Sequence, residues 1–244
     1  MNQLPVLPDE IVRMLAERTQ DERRLIFKTL RNEFHIHELE TRLNTRAEVI
    51  LEAISRASDL TLRGIRGIIA EAAFKQEVVV PFTSSGSGWK EVNLAGDHPF
   101  DFKIEDEQGP VTIQVKMQRQ KEQRPMLASE ANKAMFRYLD DHFVVETQRT
   151  RGGKNADGTD TRPYRFGEFD LLAVAMHPST KNWSNFLYTV QRWLVPTPGE
   201  NQLVFKYQPV PKAPNDLWTS DLETAIEWLR TGGQNCLPST STLL

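Results

Sequence analysis

The sequence predicts an α/β protein with a mixed central β-sheet flanked by helices and an N-terminal helical arm. Three observations carry that reading. Residues 8–57 place apolar side chains at helical spacing behind acidic first turns. From His98 to Arg119, two β-prone runs flank the polar turn Glu105-Asp-Glu-Gln-Gly109, the pattern of a β-hairpin. Asp170 to Met176 is an apolar run of strand length, as expected of a strand covered on both faces.

With 244 residues, 39% hydrophobic and 26% charged, the chain has room for one large globular domain or for a domain with a helical appendage. No apolar run approaches the roughly 18 residues that span a membrane. The opening Met-Asn-Gln-Leu-Pro-Val-Leu-Pro lacks the basic and apolar regions of a signal peptide. The single cysteine, Cys236, allows neither an intramolecular disulfide nor a thiolate zinc site, which suits a reducing cytoplasm. The expected division is a helical subdomain at 1–58, a core at 59–231 and a disordered tail at 232–244.

In chain order, Pro8-Asp9-Glu10 opens a first helix and Asp21-Glu-Arg-Arg a second. Thr45 and Glu48 form a capping box for a third. This cluster fits either a helix-turn-helix DNA reader or a helical subdomain or dimerisation arm. His35 and His37 would point apart on a helix and read as ordinary histidines. Residues 59–77 form the clearest helix, small or apolar along Leu60, Gly64, Gly67, Ile68 and Ala72. Glu71 sits in its middle, and is costly there unless paired. Val78–Pro81 reads as a buried strand, and Trp89 to Leu94 as a short one. After the hairpin come a helix over Ser129 to Leu139 and a strand from Phe143 to Arg151. The Gly-rich loop from Gly152 to Pro163 lacks the P-loop pattern, so no nucleotide cofactor is expected. Trp183, Phe186, Leu187, Tyr188 and Trp193 read as core or interface. Ser220 and Glu223 form a capping box for a last helix ending at Leu229.

The chemistry concentrates in the hairpin. Gln114 and Lys116 lie two apart on one strand and share a face, and Asp101 near the start of the other can lie beside them. A carboxylate, an amide and an ammonium then converge. A hard oxygen set of this kind holds Mg²⁺, which neutralises a phosphate and acidifies water, while a lysine whose pKa is lowered by burial orients or deprotonates that water.

Net charge is −3, yet residues 116–165 carry 11 basic against 7 acidic side chains, a positive block beginning at Lys116. Arg119, Gln148, Arg149, Arg151, Lys154, Asn155, Arg162 and Arg165 are of the types that contact phosphates and base edges.

Pro99 and Asp101, followed about a dozen residues on by Gln114-Val115-Lys116, resemble the PD-(D/E)XK nuclease superfamily, the fold of many type II restriction endonucleases. Phe100 intervenes between Pro and Asp, and Gln114 stands where that family usually has a carboxylate. Arg66-Gly67-Ile-Ile-Ala70-Glu71 is similar to a helix whose Glu reaches the metal site in that superfamily; otherwise Glu71 faces solvent or pairs with Lys75 at i,i+4. Arg165, Glu168, Asp170 and the following apolar strand also resemble a restriction endonuclease stretch. The resemblance implies a Mg²⁺-dependent type II restriction endonuclease that cuts double-stranded DNA to leave 5′-phosphates. Asp101, Gln114, the Val115 carbonyl and Glu71 would hold metal and Lys116 would act on water. Such an enzyme is expected to be a homodimer, since cutting both strands of a palindrome needs two sites about a two-fold axis. The alternatives are a structure-specific repair or junction nuclease of the same fold, or a DNA-binding module that no longer cleaves.

Overall fold

Helices form where the sequence supplies caps, and not always the caps that local pattern suggests. The computed structural model describes residues 7–34, 37–149, 152–154 and 161–240. The chain divides into two units, Met1–Leu62 and Arg63–Leu244. In the first, α1 spans Leu7–Ala16 and α2 spans Gln20–Glu33. The second starts under a reciprocal capping box: Thr19 Oγ1 accepts the Glu22 N–H, and Glu22 accepts the Thr19 N–H at 2.8 Å. A short α3, Glu38–Leu43, was not expected; the His37 ring caps it by accepting the Leu39 N–H. His35 lies outside the described residues.

The helix α4, Ala47–Ser55, corrects the expected Thr45/Glu48 box. Its N-cap is Arg46, with no side-chain cap bond. The buried Glu40 carboxylate, reaching from α3, accepts the Ala47 N–H at 2.7 Å instead. That leaves Glu48 free to pair with Arg31 at 2.6 Å. Glu40 is the only buried side chain among the described residues of this unit, while Leu25, Phe27, Phe34, Val49 and Leu51 are exposed.

The second unit is built on a helix that does not stop where its β-branched residues suggest. The helix α5 covers Asp59–Phe74, a π-helical turn Lys75–Val79 follows, and α6, Val80–Phe82, continues it. The strand expected at Val78–Pro81 is therefore helical. Packing overrides propensity here: Ala70, Phe74 and Val79 are all buried in one core. The wider π-turn brings Phe74 and Val79, five residues apart, onto the same side.

The central sheet has the order β1-β2-β3-β7-β8. A short β1, Lys90–Glu91, pairs antiparallel with β2, Phe102–Asp106. The hairpin partner β3, Gly109–Met117, returns through a two-residue loop that starts with Asp106 opposite Gly109. Gly109 has a φ of 116°, open only to glycine at low cost. A small hairpin, β4 (Gln120–Lys121) and β5 (Arg124–Pro125), follows.

The expected helix over Ser129 to Leu139 is two pieces, α7 (Ala128–Ala131) and α8 (Lys133–Phe136). Asn132 interrupts it in an extended conformation and caps α8 by accepting the Met135 N–H at 3.0 Å. The strand β6, Phe143–Glu146, is shorter than the run to Arg151 because its partner pairs no further than Glu146. The chain then re-enters the sheet as β7, Leu171–Ala175, parallel to β3. A short α9, His177–Thr180, leads to β8, Phe186–Val190, antiparallel to β7. Three further strands lie in a stretch the sequence reading left unassigned: β9 (Pro196–Thr197), β10 (Glu200–Val204) and β11 (Tyr207–Val210), the partner of β6. The last helix, α10, runs Leu222–Thr231. Its cap is Asp221, accepting the Thr224 N–H at 2.9 Å, in place of the expected Ser220/Glu223 box.

Both faces of β7 are buried, as its unbroken apolar run requires. Leu171, Ala173 and Ala175 enter the core formed with α5 and α10, and Leu172 and Val174 enter a second core with Tyr164, Phe169, Val144 and Leu187. The register sets Gln114 against Leu172 and Lys116 against Val174, so both belong to the second face. Residues 232–240 are not the expected disordered tail. Leu237 is fully buried, its N–H bonds the Trp193 carbonyl, and the Thr240 N–H bonds the Met135 carbonyl, each at 2.7 Å. Residues 241–244 lie outside the described residues. Among the described residues no helix is long and apolar enough to cross a membrane.

Phe74 is the centre of the helix-to-sheet contact, fully buried with its ring 5.1 Å from Phe186 and 5.2 Å from Phe102. Phe74→Ala is expected to destabilise the second unit by about 3–5 kcal/mol. Chemical denaturation would show this; a loss below about 1 kcal/mol would contradict the packing described.

Candidate active site

The site arises where β2 leaves β3. Their pairing begins at Phe102 opposite Ile113, so Val115 lies beyond the last partner on that side. Its N–H needs another acceptor, since an unpaired buried amide is costly. Asp101 supplies one. Its own N–H bonds the Ile113 carbonyl at 3.0 Å, and its Oδ2 accepts the Val115 N–H at 2.8 Å. The Gln114 amide completes the arrangement: Nε2 donates to the same Asp101 oxygen and, at 3.1 Å, to the Val115 carbonyl. The Gln114 side chain is buried, 2% exposed, so both of its ends need partners. Its Oε1 accepts from the Tyr164 hydroxyl at 3.1 Å.

Lys116 follows on the same face. Its ammonium lies 5.4 Å from the centre of the Tyr164 ring, and it makes no hydrogen bond or ion pair among the described residues. Burial pushes its pKa down, against the opposing charges of Asp101 and Glu71 and with help from Arg149. Glu71, on α5, faces this group. Burial and then the charge of Asp101 raise its pKa to about 7, with Lys116 pulling the other way. Burial likewise raises Asp101, against Lys116 and the Val115 N–H. Lys75, the alternative partner of Glu71, is instead paired with Glu91. The structure thus brings Glu71, Asp101, Gln114, Val115 and Lys116 together.

The group offers oxygen atoms of the kind that hard cations take. Burial raises both carboxylates, and the charge of Asp101 raises Glu71 further. The Val115 carbonyl is a further oxygen. Among the described residues no cluster of three or more His, Cys, Asp or Glu could hold a metal, so a cation here would have to draw on amide and carbonyl oxygens as well. Gln114 Nε2 sits against the two oxygens that a cation would share. Rotating the amide by half a turn would offer Oε1 to the cation and Nε2 to the Tyr164 hydroxyl, which can accept as well as donate.

Tyr164 was not singled out from sequence. It lies 50 residues from Gln114, and no local pattern links the two. Arg149 holds it from the other direction, with its guanidinium 4.9 Å from the ring centre, donating to the Thr161 and Pro163 carbonyls and to Glu168 at 2.7 Å. Glu168 and Asp170 have scaffold partners too: Asp170 accepts the Thr112 N–H at 2.8 Å and its hydroxyl at 2.7 Å.

The expected DNA contacts separate into groups. Arg149 is spent on that internal network, and Arg119 is paired with Glu146 and lies over the Tyr207 ring. Both guanidinium groups are half-buried and bound to carboxylates. Gln148 is half-buried and its backbone bridges to Pro163. Arg162 Nε donates to the Arg149 carbonyl at 3.3 Å. Lys154 and Arg165 are exposed. Arg151 and Asn155 lie outside the described residues.

No protein-family model matches the chain, and no curated protein matches it. Among solved structures, the bacterial homing endonuclease I-Ssp6803I is similar over 72% of this chain and 96% of that chain, with 18% sequence identity and a TM-score of 0.36.

The raised carboxylates make a pH prediction. A folded state that keeps the Glu71 proton up to about pH 7 binds more protons than the unfolded chain above the ordinary carboxylate range. Stability from this group is full at acid pH and falls as pH rises toward 7. Glu71→Gln is expected to flatten part of that slope in denaturation midpoints measured across the window. An unchanged slope would contradict the burial of Glu71 beside Asp101.

Proposed function

We propose that this protein is a Mg²⁺-dependent endonuclease that cuts double-stranded DNA at specific sequences, in the manner of a type II restriction enzyme. The observation that supports the reading is the convergence of Asp101, Glu71, the Val115 carbonyl and Gln114 with a half-buried, unpaired ammonium at Lys116. Asp101, Glu71 and the Val115 carbonyl would hold the metal, with Gln114 joining through Oε1. When bound, Mg²⁺ would neutralise the scissile phosphate and acidify water. Lys116 is the group that orients the attacking water. Its lowered pKa increases the share of neutral amine able to take a proton, and Tyr164 limits where the ammonium can lie. Attack on phosphorus and departure of the 3′-oxygen leave a 5′-phosphate. Lys154, Arg162 and Arg165 would meet the polyanion. Cutting both strands calls for a homodimer with two-fold symmetry.

One observation favours a second reading, a DNA-binding module without cleavage: the Gln114 amide, not an oxygen, faces Asp101 and the Val115 carbonyl. Mixed-sequence plasmid DNA with Mg²⁺ separates the two. The nuclease gives discrete bands; a structure-specific enzyme gives limited cutting without sequence preference; the module gives none. Lys116→Ala is expected to abolish cleavage while its thermal melt stays close to the parent's. Gln114→Glu is expected to lose activity or gain none, because a further carboxylate would pair with Lys116 and hold its proton on. An inactive parent rescued by that substitution would establish the second reading.

A further inference from the structure

An open cleft of about 810 Å³ lies beside the Arg149–Glu168 pair, walled by the hairpin of β9 and β10. Its lining includes polar side chains with no partner of their own. Arg165, Asn201 and Gln202 are exposed, and Thr197 is half-buried. None of the four side chains makes a hydrogen bond or ion pair among the described residues. Sequence reading passed over this hairpin, although Pro198-Gly199 between its strands is a turn signal.

The cleft is built into the same backbone as the catalytic group. The Phe166 N–H bonds the Gln202 carbonyl at 3.0 Å, and the Val204 N–H bonds the Tyr164 carbonyl at 2.8 Å. Arg165 forms a bridge with Leu203. Residues 164–166 are thus an added edge on β10. Side chains alternate along such a segment. Tyr164 is buried with its hydroxyl on Gln114, while Arg165, the next residue, is exposed in the cleft. One extended segment therefore fixes the distance between the cleft and the catalytic amide.

We propose that β9, β10 and the 164–166 edge together are the base-reading element of this protein, meeting the major groove through Arg165, Asn201 and Gln202. The inference rests on the nuclease reading. Arginine pairs with guanine and asparagine or glutamine with adenine, because each presents two groups at the spacing of the base edge. Glu200, exposed beside them, can only accept hydrogen bonds. That suits a cytosine amino group and disfavours phosphate, so the lining fits base edges better than backbone.

The test uses the full chain and duplexes with a randomised core. Bound duplexes are recovered and sequenced, and so are the ends cut in Mg²⁺. The parent is expected to yield a consensus. Asn201→Ala, Gln202→Ala and Arg165→Lys should each relax it at one position, lowering preference there roughly 5- to 150-fold and leaving the other positions and the thermal melt unchanged. Arg165→Lys keeps the charge and loses the planar fork, so a uniform loss over all sequences would make Arg165 a phosphate contact and overturn its part. The same consensus from the parent and all three variants would overturn the proposal, as would a parent that binds or cuts without preference. A parent that neither binds nor cuts the library would remove the nuclease reading itself.

Discussion

The hydrogen bond from the Val115 N–H to the Asp101 carboxylate is the constraint on which the site depends. A hairpin that stayed paired would satisfy Val115 with backbone and leave no place for chemistry. Because β2 departs at Phe102, a side chain replaces the missing strand, and the cheapest replacement for a buried N–H is a nearby carboxylate. That choice draws a negative charge into a half-buried setting. The rest follows as compensation: the Gln114 amide turns its donors toward Asp101, Lys116 contributes an opposing charge, and Glu71 holds a proton to about pH 7 because burial, and then the charge of Asp101, disfavour a second anion.

Around that centre the scaffold works outward. Lys116 and Gln114 stay on one face because β3 is locked in register with β7, whose side chains are buried on both sides. Tyr164 touches Gln114 and lies near Lys116, and Arg149 fixes Tyr164 while Glu168 fixes Arg149. Four buried or half-buried groups thus limit the freedom of the one amide that departs from the pattern the hairpin resembles. Restricting first contacts through further hydrogen bonds is a general requirement of precise sites.

Much of this was legible in sequence, for identifiable reasons. The hairpin, its turn and the shared face of Gln114 and Lys116 follow from period-two geometry and the polar turn ending in Gly109. The apolar run at Leu171–Ala175 announced a strand covered on both sides. What failed did so where tertiary contacts outweighed local preference. Val78 to Pro81 is strand-like in composition but continues a helix, because Phe74 and Val79 bury together. Thr45 had the look of a cap, yet Glu40 from the preceding helix does the capping. The pairing of Arg149 with Glu168 and of Arg119 with Glu146 has no local signal either, since each carboxylate lies far along the chain. Tyr164 could not be seen, since only the fold sets it against Gln114.

The central claim is that Asp101 and its neighbours form a hard-cation site. Titrating the full chain with Mn²⁺ and following the free ion by electron paramagnetic resonance, with Mg²⁺ as competitor, tests it most directly. Saturable binding is expected that Mg²⁺ displaces, that Asp101→Asn reduces by at least about tenfold (roughly 1.4 kcal/mol), and that Lys116→Ala does not weaken. Identical titrations for the parent and Asp101→Asn would contradict it.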